Sequence, residues 1–215
     1  MHKSDLGFGY YEYEVIEYLT KKFRTYKPCV FIDIGAYVGY YLMLALKEGC
    51  DVIAFEPDPR NYALLRANAA LSNANNQIAI FNKALSDRTA ITTFKLSVAP
   101  STSSMSRFLR KELVEKTIMV SCTTLDDVIK PLAENLLKDK HVIIKIDVEG
   151  AAYSVIRGAL NTIATYKPIV VLEVHRTYDD DDEIKVVRLL RLFNYKFKVL
   201  ERRGDENFIL VLEHS

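Results

Sequence analysis

The segment 31–39, Phe-Ile-Asp-Ile-Gly-Ala-Tyr-Val-Gly, constrains the fold of this chain most. A short apolar run, Val30, Phe31, Ile32 and Ile34, passes straight into a glycine turn and then into a helical pattern. Gly35 can take the backbone angles of a tight strand-to-helix turn, and Gly39 lets the next helix lie close to a ligand or to the sheet. A strand, a glycine turn and a helix in that order begin a βα unit of the kind that holds a nucleotide-type cofactor. Plain packing in an α/β fold can also produce such a turn, so the rest of the chain has to decide.

The downstream pattern alternates strands and helices. The spacing predicts an amphipathic helix over 11–24, with Val15, Ile16, Leu19 and Phe23 on one face, then a strand over 30–34 and a helix over 38–47 stopped by Gly49. A strand over 52–55 ends at Glu56-Pro57-Asp58-Pro59, where the prolines stop it and start a helix over 60–71. Further strands are expected over 77–82 and 90–96, the latter extending the sheet edge. A short strand over 118–122 precedes a helix opened by Thr124 or Asp126. Residues 142–146, Val-Ile-Ile-Lys-Ile, read as a parallel strand covered on both faces. A helix over 152–166, a strand over 169–174, a helix over 182–193 and strands over 196–201 and 208–212 complete the series. The fold class is α/β: a doubly wound, mostly parallel seven-stranded sheet with an antiparallel edge strand.

Length and charge narrow the function. The 215 residues suit one domain, 1–215, with 1–28 as an N-terminal helical extension. With 29 Lys and Arg against 28 Asp and Glu, the formal charge is +1, too little for extensive tracking of a polyanion. Arg107, Arg110 and Lys111 form only a local basic cluster. Asp5, Glu12, Glu14 and Glu17 interrupt any secretory apolar core, and no run is long enough to span a membrane, so a soluble, cytoplasmic protein is expected. Cys29, Cys50 and Cys122 are odd in number and far apart, and read as buried free thiols.

Ligands of open α/β sheets bind beyond the carboxyl ends of the strands. Asp33, Glu56, Asn82, Asp147 with Glu149, and Glu173 with His175 fall at five such ends. Glu56 lies about 20 residues beyond the glycine turn, where an acid accepts the hydroxyl protons of a ribose. Both NAD and S-adenosylmethionine carry that ribose. The turn lacks the G-x-G-x-x-G order that receives a pyrophosphate, and Asp33 before it suits a cationic ligand, which favours S-adenosylmethionine.

These motifs resemble the FkbM-type family of S-adenosylmethionine-dependent methyltransferases, of the class I, Rossmann-like fold. The resemblance runs through FIDIGAYVGYY (31–41), FEPDP (55–59), NKALSD (82–87), STSSMS (101–106), TTLDD (123–127) and IKIDVEGAAYSVIRGA (144–159). The family often has Asn where Tyr37 stands and an acid where Ala152 stands. The resemblance implies that Asp33, Gly35, Ala36, Tyr37 and Gly39 surround the methionine part, that Glu56 beside Pro57 holds the ribose, and that Asn82, Lys83 and Ala84 border the adenine. It places Asp147 near the sulfonium or the acceptor, beside which the preference of aspartate for helix caps gives a competing role as cap of the next helix, and both roles can coexist. The implied reaction is O-methylation of a hydroxyl on a sugar or small metabolite, with Asp147, Glu149, Glu173 and His175 as candidate bases. No resident metal is expected, although Asp147, Glu173 and His175 have the ligand types to hold one. RNA ribose methylation and a non-catalytic cofactor-binding subunit are the competing functions. The acids 179–182 read as a solvated helix start. The acceptor surface is expected from the loops 7–11, 99–108 and 175–182.

Overall fold

The computed structural model describes residues 12–72, 75–98, 114–175, 182–203 and 207–215, with His175, Asp182, Glu183, Arg203 and Asn207 described in backbone only. The chain begins with α1 (Tyr13–Thr25), β1 (Cys29–Ile34), α2 (Tyr40–Lys47), β2 (Asp51–Phe55), α3 (Pro59–Leu71) and β3 (Ile78–Phe81). An excursion follows: β4 (Ala84–Leu85), β5 (Ala90–Ser97) and β6 (Val114–Thr123). Then come α4 (Leu125–Leu132), a π-helical turn (Ala133–Leu137), β7 (His141–Ile146), α5 (Ala152–Arg157), α6 (Leu160–Tyr166), β8 (Ile169–His175), α7 (Asp182–Arg191), β9 (Tyr195–Arg203) and β10 (Asn207–His214).

Seven strands form the main sheet in the order β3-β2-β1-β7-β8-β10-β9. The first five run parallel, and β10 is antiparallel to both its neighbours. All six residues of β1 are buried, because helices cover both faces of this central strand. On one face Val30, Ile32, Ile34, Ile144, Ile146 and Leu172 join residues of α4 to α7. On the other, Phe31, Val52, Ile143, Val171 and Val211 pack with Val15, Leu19 and Phe23 of α1, Leu42 of α2 and Leu65 of α3. The three α1 side chains are fully buried, and each withdraws apolar surface worth roughly 1.5–3 kcal/mol. Strand order reverses between β1 and β7, which places the ligand-binding crevice at their carboxyl ends.

The structure departs from the sequence expectations in four places, three of them set by contacts between distant residues. The β5 strand does not extend the main sheet: it pairs with β6 in a separate sheet ordered β4-β6-β5. Phe94, Leu96, Val120 and Cys122 supply that sheet's own small core. The helix expected over 152–166 is two helices. At the break, a Cβ on Gly158 would lie 2.0 Å from the Ser86 carbonyl oxygen, and the Asp126 carboxylate accepts the Asn161 and Thr162 N–H groups at 2.9 and 2.8 Å. Cys29 and Cys50 are not free thiols: they form a disulfide, and Cys122 remains free and buried. Parallel pairing of Val30 with Asp51 brings the preceding residues of β1 and β2 side by side, although 21 positions separate them in sequence. Finally, Asp147 is not a helix cap, since Ala151 occupies that position before α5.

Thr124, by contrast, caps α4 as expected, its hydroxyl accepting the Asp127 N–H at 3.0 Å. Among the described residues no helix is long and apolar enough to cross a membrane.

Candidate active site

The glycine turn is wedged between three elements. Gly35 and Ala36 both donate their N–H groups to the Phe55 carbonyl at 3.0 Å, tying the end of β1 to the end of β2. Gly35 has φ +83°, and a Cβ there would lie 1.9 Å from the Asp147 carbonyl oxygen. Gly39, at φ +94°, faces α3, where a Cβ would meet the Leu65 side chain at 2.6 Å. Gly35 is therefore demanded by backbone packing as well as by conformation, and Gly39 by its conformation, with only the end of one leucine side chain against it.

Tyr37 sits between them at φ 52°, in the left-handed region, with its side chain 39 % exposed. Asn tolerates that conformation better than an aromatic residue does, because its short polar chain can bond locally. Tyr37→Asn should therefore raise stability by roughly 0.5–1 kcal/mol in urea unfolding, since little packing is lost with an exposed ring.

Glu56 lies at the end of β2 and is 5 % exposed. Its Oε2 accepts the Tyr37 N–H at 2.8 Å and its Oε1 accepts the Asp58 N–H at 2.8 Å. The carboxylate thus clamps the glycine turn to the start of α3; the Asn61 side chain is a third donor to it, which leaves acceptor capacity for a further donor. Asn82 is turned toward the same rim, its Nδ2 donating to the Glu56 carbonyl at 2.8 Å and to that of Pro57 at 3.2 Å. Lys83 follows, half-buried, and Ala84 is buried in β4. Asp58 is fully buried, caps α3 through the Arg60 N–H and pairs with the Arg60 guanidinium at 2.8 Å. Burial pushes the Glu56 carboxyl up to about 7, against the lowering effect of its two backbone donors.

Asp33 is the penultimate residue of β1 at 1 % exposure, and neither of its carboxylate oxygens receives a hydrogen bond from the described residues. Burial raises this carboxyl to about 7, with Lys145 pulling it down and Asp147 and Glu12 pushing it further up. A buried acceptor pair lacking a donor is completed by an ordered water or a donor-bearing ligand. Together, a clamped acid with spare acceptor capacity, a turn closed by glycines and this orphaned acid fit an adenosine cofactor with a cationic amino-acid end.

Residues 33–199 match the family described as the methyltransferase FkbM domain. The chain belongs to this family. Over 178 residues it is 23% identical to the hexuronic acid methyltransferase AglP of Haloferax volcanii, covering 83% of this chain and 68% of that protein. The crystal structure of the FkbM methyltransferase from Methylobacillus flagellatus superposes with a TM-score of 0.60 at 18% identity, covering 85% of this chain. This chain spans only 42% of that one. An O-methyltransferase from Bacillus cereus, solved in complex with S-adenosylhomocysteine (SAH), gives a TM-score of 0.52 at 12% identity over 93% of this chain and 79% of its own. The fold is that of the class I methyltransferases, and the FkbM family depends on S-adenosylmethionine.

In this FkbM domain the structure adds a residue that the sequence reading passed over. Lys145 interrupts the apolar run of β7 and is 2 % exposed, with its Nζ 2.8 Å from Asp147 Oδ2 and 4.7 Å from the centroid of the Tyr41 ring. Burial works to lower its pKa, but Asp147, Asp33 and Glu173 together carry it above the ordinary lysine value. A charged residue inside an otherwise continuous buried strand was the available signal.

Asp147 follows β7 directly, its N–H donating to the Ile34 carbonyl at 2.9 Å. Glu173 is buried on β8 at 6 % exposure, and Glu149 lies half-buried in the turn after Asp147. His175 ends β8, and its side chain is outside the described residues, as are the loops 7–11, 99–108 and 176–181 and the basic residues Arg107, Arg110 and Lys111. Among the described residues no group of three His, Cys, Asp or Glu side chains gathers as metal ligands would.

Proposed function

We propose that this FkbM methyltransferase domain, read as one unit over 1–215, methylates a hydroxyl oxygen of a sugar or small metabolite. The observation that carries the cofactor half of this reading is the Glu56 clamp: a carboxylate at 5 % exposure, each oxygen held by one backbone N–H, with acceptor capacity left for the ribose. In this reading Asp33, Gly35, Ala36, Tyr37 and Gly39 enclose the amino-acid end, and Pro57, Asn82, Lys83 and Ala84 border the base. S-adenosylmethionine supplies a methyl group on a sulfonium, open to in-line attack by an oxygen nucleophile. The chain's own contribution is then orientation, which for well-placed reactants lowers a barrier by up to roughly 7–11 kcal/mol.

Asp147, Glu149, Glu173 and His175 are the groups at the β7 and β8 ends from which a base for the acceptor hydroxyl would come. The sugar class is supported by the similarity to a protein named as a hexuronic acid methyltransferase. The formal charge of +1 favours a small acceptor over RNA. A cytoplasmic location belongs to the same reading, and it requires the Cys29–Cys50 disulfide to be one of the uncommon ones that persist in a reducing compartment.

The test is calorimetric titration with S-adenosylmethionine, S-adenosylhomocysteine and NAD, followed by a labelled-methyl screen of sugars, small hydroxyl compounds and RNA. Selective binding of the two adenosyl compounds and label on a sugar or small alcohol are expected. Preferential binding of NAD, or label only on RNA, would replace the proposal.

Acid–base linkage gives a second check. Asp33 and Glu56 both hold protons in the folded protein up to about pH 7, whereas unfolded carboxylates release them near pH 4. The folded state therefore carries the extra protons between those values, and the stability they confer is lost as pH rises from about 4 to 7. Asp33→Asn should flatten that decline in urea unfolding. A ligand that donates to the ionised acids behaves oppositely, so the affinity for S-adenosylmethionine should increase over pH 5.5–8. Affinity independent of pH would remove Asp33 and Glu56 from the cofactor site.

A further inference from the structure

Among the described residues Lys145 is the only Lys or Arg in the fully buried class. The strand does not need it. Its neighbours in β7, Val142, Ile143, Ile144 and Ile146, are all buried and apolar, and a buried ammonium is costly unless anions surround it.

Its surroundings are specific. Register pairs Lys145 with Asp33 on β1 and with Val171 on β8, so Glu173, two residues further, lies on the same face of the sheet. The Asp147 carboxylate receives the ammonium at 2.8 Å, and the Tyr41 ring of α2 stands behind it at 4.7 Å. The Tyr41 hydroxyl in turn donates to the Glu12 carboxylate at the start of α1. Asp33, Asp147, Glu173, Tyr41 and Glu12 are thus the titratable groups that the surrounding elements direct at or behind this cation.

Of the three acids on the strand ends, Asp33, Asp147 and Glu173, Asp147 is the one that emerges: its side chain is 30 % exposed, against 2 % for Lys145, while Asp33 and Glu173 are buried. Its backbone is fixed from the other side, because its N–H bonds to Ile34 and its carbonyl abuts Gly35. Lys145 therefore reaches from the protein interior to a single carboxylate beside the glycine turn, without itself lining the crevice.

We propose that Lys145 is a positioning residue that holds the Asp147 carboxylate in one orientation beside the glycine turn, with the Tyr41 ring fixing the ammonium from behind, so that Asp147 meets the positive end of the cofactor. The ligand in this statement rests on the S-adenosylmethionine reading above; the positioning of Asp147 does not. Without the ammonium, Asp33, Asp147 and Glu173 would crowd three anions into one buried site, which would take up protons and turn away from a cationic ligand.

The experiment compares wild type, Lys145→Met, Lys145→Arg, Asp147→Asn and the Lys145→Met/Asp147→Asn double variant. S-adenosylmethionine is the calorimetric probe from pH 6 to 9, and urea unfolding is followed over the same range without ligand. Lys145→Met should bind at least tenfold more weakly at pH 7 and recover part of that loss toward pH 9, while Lys145→Arg stays within about threefold of wild type. In the Asp147→Asn background, Lys145→Met should change affinity less than twofold, because the route through Asp147 is already gone.

A uniform loss at every pH in Lys145→Met, or a further fivefold loss on adding Lys145→Met to Asp147→Asn, would overturn the proposal. The second comparison serves if the single variant fails to fold. If wild type is folded but binds no adenosyl compound, the cofactor reading fails separately. The unfolding series then decides the role of Lys145: stability in Lys145→Met must fall more steeply with pH than in wild type, and an unchanged slope refutes it.

Discussion

Glu56→Ala should weaken S-adenosylmethionine binding by at least about a hundredfold at pH 8, measured by calorimetry on folded protein. Hydrogen bonds to a charged acceptor contribute about 1.5–3 kcal/mol each, so losing two to the ribose costs about 3 kcal/mol or more, and each 1.4 kcal/mol is a factor of ten. The substitution also removes the acceptor for the Tyr37 and Asp58 N–H groups, so the glycine turn and the start of α3 lose their common tie. A lower melting temperature should accompany the affinity loss, because Glu56 is buried at 5 % exposure and its backbone partners cannot all turn to water. Glu56→Gln separates the two effects. It keeps one acceptor oxygen for the backbone but lacks the charge, so it should melt closer to wild type while still binding at least tenfold more weakly. Binding within threefold of wild type in Glu56→Ala would show that the ribose does not rest there.

Gly35→Ala carries the other large effect, this time on stability. The new methyl group would lie 1.9 Å from the Asp147 carbonyl oxygen and 3.0 Å from its carbon, both backbone atoms that cannot rotate aside. Relief requires the ends of β1 and β7 to separate, which strains the bonds from Gly35 and Ala36 to Phe55 and from Asp147 to Ile34. Added to the cost of an alanine at φ +83°, about 1 kcal/mol, the total should exceed about 3 kcal/mol in urea unfolding. Gly49→Ala provides the control. Its φ is similar, +86°, but the nearest atom to a new Cβ is the end of the Lys27 side chain at 3.6 Å. It should therefore lose only about 1 kcal/mol, the conformational part alone. Equal losses at the two glycines would mean that the close approach of β7 to the turn has no energetic weight.

The positions that were legible in advance are those where local chemistry leaves the chain few options. The apolar runs 30–34 and 142–146 are strands covered on both faces, and they became neighbouring strands of one parallel sheet. Thr124 was readable as a cap because its hydroxyl serves an N–H only three residues on. Glu56 was readable because its distance from the glycine turn follows from the length of one βα unit. Tyr37 was conspicuous as a departure from the family, and its positive φ supplies the reason an Asn is common there.

The errors and omissions fall where residues distant in sequence meet. The Cys29–Cys50 disulfide depends on the register of two parallel strands joined through a helix, which no spacing rule contains. The β-branched stretch 90–96 announces a strand but does not say that β6 will be its partner, and pairing with β6 built a second sheet. The Ser86 carbonyl leaves no room for a Cβ at Gly158, where the helix breaks, and Asp147 is not the cap because α5 begins only at Ala152, with Ala151 in the cap position. The sequence alone therefore determined the α/β class, the family resemblance, the glycine turn and the acid at the end of β2, since each depends on short-range periodicity or on a fixed offset along the chain. Tertiary structure alone decided which strands pair, which cysteines join, and that Lys145 stands among Asp33, Asp147 and Glu173, because burial and partnership in a folded sheet are set by register across strands rather than by distance along the chain.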